Sequence, residues 1–277
     1  MIKHNYTEPV SKLLTLGRPN DSQGWLDYLK MGITGEDIPE LICLLEDKDL
    51  RWMERPADLP EGGDLTEWYG QIHAWRALAQ LKAEEAIPAL LNNLQEIDEY
   101  NDDWYGEDAF EVFPMIGPAA VHPLAEYLAD SRHGTWARVA ASASLEKMAE
   151  AHPEVREACA EAIVHALRMY KANNEALNGC MISDLEEMGA ALEHLDLIEE
   201  AFKSGNVDEE VDGDFEDLQI RLGLKHERSK PRQHSSLFDE SPMPFNNNLP
   251  DIKKLAKKEK NKRKQEKKSR KRNRKKK

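Results

Sequence analysis

Cysteine, aromatic residues and long apolar runs are all scarce in this chain. The three cysteines, Cys43, Cys159 and Cys180, are odd in number and far apart, with no CxxC. They indicate neither a disulfide framework nor a zinc ribbon. Cys43 and Cys159 fall on apolar helix faces, where a buried thiol behaves as a small hydrophobe. No segment approaches the ~20 apolar residues that span a bilayer. The opening, MIKHNYTEPV, lacks the apolar core of a signal peptide. These absences predict a cytoplasmic protein with no membrane partner, or a nuclear one if the source has a nucleus. Strand signals are nearly absent too. So are the motifs of common chemistries: no glycine-rich phosphate loop, no HExxH, and no serine in a nucleophile-elbow context. The sequence therefore names no catalytic residue, no cofactor and no metal ligand, and the expectation is a protein that is not an enzyme.

What is abundant is charge, and it is divided. The net charge is −14. Residues 251–277 hold 17 Lys+Arg against 3 Asp+Glu, a net +14, while the first 250 residues hold the remaining 21 basic and 49 acidic groups, a net −28. Such asymmetry says more than the total. A body at −28 repels phosphate backbones over about a Debye length, so it is not by itself a nucleic-acid groove. It suits a basic partner, or serves solubility alone. With 40% hydrophobic, 32% charged and 7% aromatic residues, the chain buries a core and keeps a large surface, as an elongated helical array does.

Helical periodicity recurs from about residue 8 to about residue 222. The clearest stretch is PEVREACAEAIVHALRMY, in which Val155, Ala158, Cys159, Ala162, Ile163, Ala166, Leu167 and Tyr170 form one continuous stripe. Pro153 suits the first turn of that helix. The helices come in pairs, and the pairs repeat. DIPELICLLED (37–47), AIPALLNNLQE (86–96) and AVHPLAEYLAD (120–130) share a β-branched residue, a nearby proline, then leucines on one face. Leu41, Leu44 and Leu45 correspond to Leu90 and Leu94, and to Leu124 and Leu128. A second register agrees: WYG occurs at Trp68–Gly70 and Trp104–Gly106, and Trp136 follows 32 residues after Trp104. Two helices per unit at a period in the thirties describe an α-solenoid.

The stretch ADSRHGTWARVAASASLEKM resembles the HEAT-like repeat of the phycobilisome-lyase type, through Asp130, Arg138, Ala140, Ala141, Ala143 and Leu145. HAWRALAQLKAEEAIPALLNNL and MIGPAAVHPLAEYLAD resemble the same unit. The resemblance implies an all-α fold, an α-solenoid of about five antiparallel helix pairs over roughly residues 7–222. It also implies that Asp130 and Arg138 belong to a polar ladder between neighbouring repeats. The position matching Arg138 in an earlier repeat is Gln71, so that ladder is incomplete or differently paired. Metal-dependent HEAT-repeat hydroxylases use several His-Glu pairs; the one His-Glu dipeptide here is His226–Glu227, which disfavours that class.

Three regions follow: an acidic helical body over 1–225, a linker containing prolines and an asparagine run over 226–250, and a basic tail over 251–277. The tail's charges repel one another, which predicts an unfolded segment when free. Its basic groups include Lys253, Lys254, Lys257, Lys258, Lys262, Arg263, Lys264, Lys267, Lys268, Arg270, Lys271, Arg272, Arg274, Lys275, Lys276 and Lys277. These are the candidate polyanion-binding residues. The tail has no aromatic residue to stack on bases, so contact with nucleic acid would be to phosphates, independent of sequence and steeply salt-dependent. A nuclear-localisation signal and a plain solubility extension are rival readings.

Trp68, Tyr69, Trp104, Tyr105 and Trp136 are the candidate protein-binding residues. Exposed among acids, they would take Arg or Lys side chains of a partner. Buried, they would pack repeat against repeat. EIDEYNDDWYGEDAFE (96–111) and NVDEEVDGDFED (206–217) are acid-rich but lack the calcium-loop pattern, which favours solvated loops and helix starts. His73 and His122 lie on repeat helices. Together these features describe a non-enzymatic HEAT-like scaffold that holds a protein partner, a basic one being best suited, while the tail tethers the complex to nucleic acid or another polyanion. A HEAT-like enzyme of bilin-lyase or DNA-glycosylase type is the alternative by fold analogy, and the acidic body opposes the glycosylase. A chaperone-like binder of a basic protein, with the tail as internal competitor, is a third reading.

Overall fold

Proline after a β-branched residue starts a helix here, because its fixed φ suits a first turn and its missing N–H loses nothing there. Ile38–Pro39 and Ile87–Pro88 open α1 (Ile38–Leu45) and α4 (Ile87–Tyr100), on either side of α2 (Lys48–Arg51) and α3 (Gly70–Gln80). Then come α5 (Asp103–Ile116), α6 (Val121–Ala129), α7 (Thr135–Ala151), α8 (Arg156–Leu167) and α9 (Glu175–Glu187). Three shorter helices follow: α10 (Leu195–Lys203), α11 (Glu209–Asp212) and α12 (Phe215–Arg221). This computed structural model describes residues 6–19, 24–51, 65–100 and 103–229. No strand occurs among them. The chain divides into units of Met1–Arg228 and Ser229–Lys277. The linker and basic tail lie outside the described residues from 230 onward.

The helix pairs read from the sequence, α3 with α4 and α5 with α6, are not the ones that pack: α1 meets α3, α4 meets α5, α6 meets α7 and α8 meets α9. A single 3-10 turn leads into α1 (Gly35–Asp37), α4 (Glu84–Ala86), α6 (Pro118–Ala120), α8 (Pro153–Val155) and α10 (Ala191–His194). Helices α3, α5, α7 and α9 pack on one another in chain order. Helices α1, α4, α6 and α8 do the same, and each also packs on the next member of the first row. Leu41, Leu44, Leu45, Leu90, Leu94, Leu124 and Leu128 are all fully buried between the rows. In α7 the small residues Ala137, Ala140, Ala141, Ser142 and Ser144 are buried, which lets α5 and α9 approach it closely from two sides.

Two positions depart from the sequence reading. Cys43 is exposed, because the buried face of α1 is Ile38, Leu41, Leu44 and Leu45. Ala158 is exposed as well. Helix α8 meets α6, α7 and α9, so its buried face is rotated to include Ala160 and Val164 beside Cys159, Ile163, Ala166 and Leu167.

Helix α7 begins without a side-chain cap of its own, because its N-cap residue is Gly134. Asp98, near the end of α4, supplies one from 38 residues upstream. Its carboxylate accepts the backbone N–H groups of Trp136 at 3.1 Å and Ala137 at 2.8 Å. The negative group also meets the positive end of the helix dipole. Gly134 is needed for this approach, since a Cβ there would overlap the Asp98 carboxyl group. Asp98→Ala should cost about 1 kcal/mol, the worth of a helix cap. Gly134→Ala should cost about 1–3 kcal/mol through overpacking. Both act by removing the same cap, so urea denaturation of the double variant should show a loss well below the sum. Additive losses would mean that Gly134 and Asp98 act separately.

Candidate functional site

The structure gathers three of the five aromatic candidates and separates the others. Trp68 and Tyr69 sit in a 3-10 turn just ahead of α3, Trp104 and Tyr105 in the first turn of α5, and Trp136 in the first turn of α7. Tyr105 is fully buried; the other four are half-buried. Tyr69 meets Trp104 edge-on at 6.3 Å between ring centroids. Tyr105 meets Trp75 of α3 edge-on at 4.9 Å, and Trp75 meets Phe113 at 6.0 Å. Among the described residues Trp68 and Trp136 make no ring contact, and the buried Trp68 indole N–H meets no acceptor.

At the centre of this group lies a cation. Arg76, in the middle of α3, is 2% exposed. Its guanidinium donates to both carboxylate oxygens of Asp108 on α5, at 2.6 and 2.9 Å. Its Cζ lies over two indoles, 4.8 Å from the Trp25 centroid and 5.6 Å from that of Trp104. Arg18 also lies over Trp104, at 5.9 Å. The Trp104 ring thus already carries cation–π contacts from the chain's own arginines. The sequence reading missed Arg76, Asp108 and Trp25. The signal was an arginine inside the apolar run IHAWRALAQL, since a buried guanidinium requires a carboxylate.

Polar side chains tie each helix to the next. Gln71 donates to the carbonyls of Leu45 and Asp47 at 3.0 and 2.9 Å, closing the end of α1. Arg138 of α7 does the same for α6, donating to the Leu128 carbonyl at 2.7 Å. Gln71 and Arg138 are therefore equivalent in role as well as register. Arg138 also donates to Asn173 at 3.1 Å, which leads through Asn178 to the Asn206 carbonyl beyond α10. Asp130 turns to Arg132 at 2.5 Å within its own loop. His73 is buried between the Tyr28 hydroxyl at 2.7 Å and the Gly17 carbonyl at 2.9 Å, which fixes the N-terminal segment over α3. His122 is exposed beside Glu126.

The acidic stretches are dispersed into structural roles. Within 96–111, Asp98 caps α7 and Asp108 pairs with Arg76. Within 206–217, Asp208 caps α11 and Asp214 caps α12. Arg221 bridges Glu186 and Asp212, and Arg228 bridges Asp214 and Asp217. Among the described residues no group of three or more His, Cys, Asp or Glu is arranged to hold a metal ion. A crevice beside α9, lined by Gly179, Ile182, Val207, Leu218 and Arg221, has room for about one water. No described helix is long and apolar enough to cross a membrane.

The basic candidates from Lys253 to Lys277 lie outside the described residues. No family model, curated protein or solved structure matches the chain. Among the described residues the helical unit offers surfaces and buried ties. Asp108→Ala should cost about 3–5 kcal/mol in urea denaturation, because it removes the bidentate carboxylate from a buried guanidinium. Replacing both partners, as Arg76→Met with Asp108→Leu, should cost much less. A mild Asp108→Ala effect, within about 1 kcal/mol, would show that the pair is solvated in practice.

Proposed function

We propose that this chain is a non-enzymatic scaffold built as a HEAT-like α-solenoid, which binds a protein partner on its acidic helical body and a polyanion through residues 251–277. The observation that carries the reading is the division of charge, +14 on that segment against −28 on the preceding residues. Charge of one sign placed on so short a segment draws phosphate-rich polymers to it and steers them away from the body. The body reading draws support from two rows of helices packed in chain order and tied neighbour to neighbour. Repeats of that kind present long surfaces made of equivalent positions. The acids left over after capping and pairing favour a partner rich in Lys and Arg.

Affinity capture with the full chain and with residues 1–250, each with and without nuclease, tests both halves. Partners lost on truncation and on nuclease treatment identify the polyanion. Partners kept by 1–250 identify the client of the body. The full chain should bind single-stranded RNA of unrelated sequences with similar affinity, falling by roughly 10³-fold or more between 50 and 200 mM salt. Equal RNA binding by the two forms would overturn the tether. Failure of both forms to retain any protein would overturn the scaffold.

A further inference from the structure

Two buried arginines in the first row of helices are paired differently. Arg76 of α3 reaches forward to α5 and meets a carboxylate, Asp108. Arg138 of α7 reaches forward to the turn before α9 and meets an amide, Asn173, at 3.1 Å. Its other contact is the Leu128 carbonyl at 2.7 Å. Arg138 is 6% exposed, so its charge is held almost out of water against neutral oxygens. A buried charge is ordinarily met by an opposite one. One carboxylate acts on it from nearby, Asp130, and that group is already engaged by the Arg132 backbone N–H at 2.9 Å and guanidinium at 2.5 Å. The third guanidinium nitrogen of Arg138, Nη1, donates to nothing among the described residues, yet it is not sealed from solvent.

More cationic groups stand around this opening. The turn that carries Asn173 also carries Arg168 and Lys171, both exposed and neither in an ion pair among the described residues. His133, stacked on Tyr127 at 3.7 Å between ring centroids, lies in the field of both Arg132 and Arg138. Two loops, 130–134 and 168–174, therefore bring basic side chains to one corner of an otherwise acidic body. We propose that this corner binds the phosphate group of a small anionic molecule, with Arg138 as the buried anchor and Lys171 and His133 at the rim. A phosphate group brings about −1.5 to −2 charge and three acceptor oxygens, which suits several donors at once. A carboxylate, with a single charge, offsets less of the buried cation. A nucleic-acid strand would spread its charge over the surrounding acids, whereas a small phosphate meets the corner alone. The site is separate from the basic segment 251–277 and does not depend on it.

Hydrogen exchange of the full chain in about 20 mM inorganic phosphate, against sodium chloride of equal ionic strength, tests this. Phosphate should slow amides of residues 130–138 and 168–174 several-fold, leave α12 unchanged, and raise the thermal midpoint by a few degrees. Arg138→Gln should abolish the protection. Gln71 holds the corresponding carbonyls at the end of α1, so a glutamine keeps the tie to α6 while removing the charge. Equal exchange in phosphate and chloride, or protection that survives Arg138→Gln, would overturn the site. Protection by single-stranded RNA without protection by inorganic phosphate would overturn it too. If Arg138→Gln does not fold, Lys171→Ala carries the test: it should weaken phosphate binding several-fold, and an unchanged affinity overturns the proposal.

Discussion

The ion pair between Arg76 and Asp108 constrains everything at the N-terminal end of the helical unit. Both groups are nearly removed from water, at 2% and 5% exposure. Charges so placed persist only when paired and fully hydrogen-bonded. The bidentate geometry meets that demand and fixes α5 against α3 in one register. With that register set, Trp75 can pack between Tyr105 and Phe113, and Trp104 can cover Arg76. The N-terminal segment completes the enclosure through Trp25, and through Tyr28 on His73. Every residue from Gly70 to Ala79 is buried as a result. An amphipathic helix at the edge of a row would ordinarily keep one face in water.

The same logic runs along the chain with different chemistry. A glutamine closes the end of α1, an arginine closes α6, and Asp98 caps α7 from α4. Each tie satisfies helix-end groups that would otherwise be buried without partners. Each also spans neighbouring helices, so the polar contacts set order and spacing while the leucines supply burial. Arg221 and Arg228 serve the C-terminal helices similarly but nearer to solvent, where salt weakens them.

Much of this was legible in the sequence. The helices and the inward leucines follow from local spacing, because proline and periodicity act within a turn or two. The correspondence of Gln71 with Arg138 was visible as register, although its meaning was not: both reach carbonyls of a preceding helix, which spacing alone does not reveal. The acidic stretches misled most. Asp98 and Asp108 stand among solvated acids in sequence, and only the fold brings one to a helix start and the other to an arginine 32 residues away. Cys43 and Ala158 were misplaced because each lies at the edge of its stripe, where tertiary contacts decide which way a helix turns.

Each helix is stabilised mainly by its neighbours in the two rows. Native-state hydrogen exchange of the full chain in low urea tests this directly. Opening free energies should be highest in α5–α7 and fall stepwise toward α1 and α12, as coupling between neighbours requires. A single opening free energy shared by all helices, equal to that of global unfolding, would contradict it.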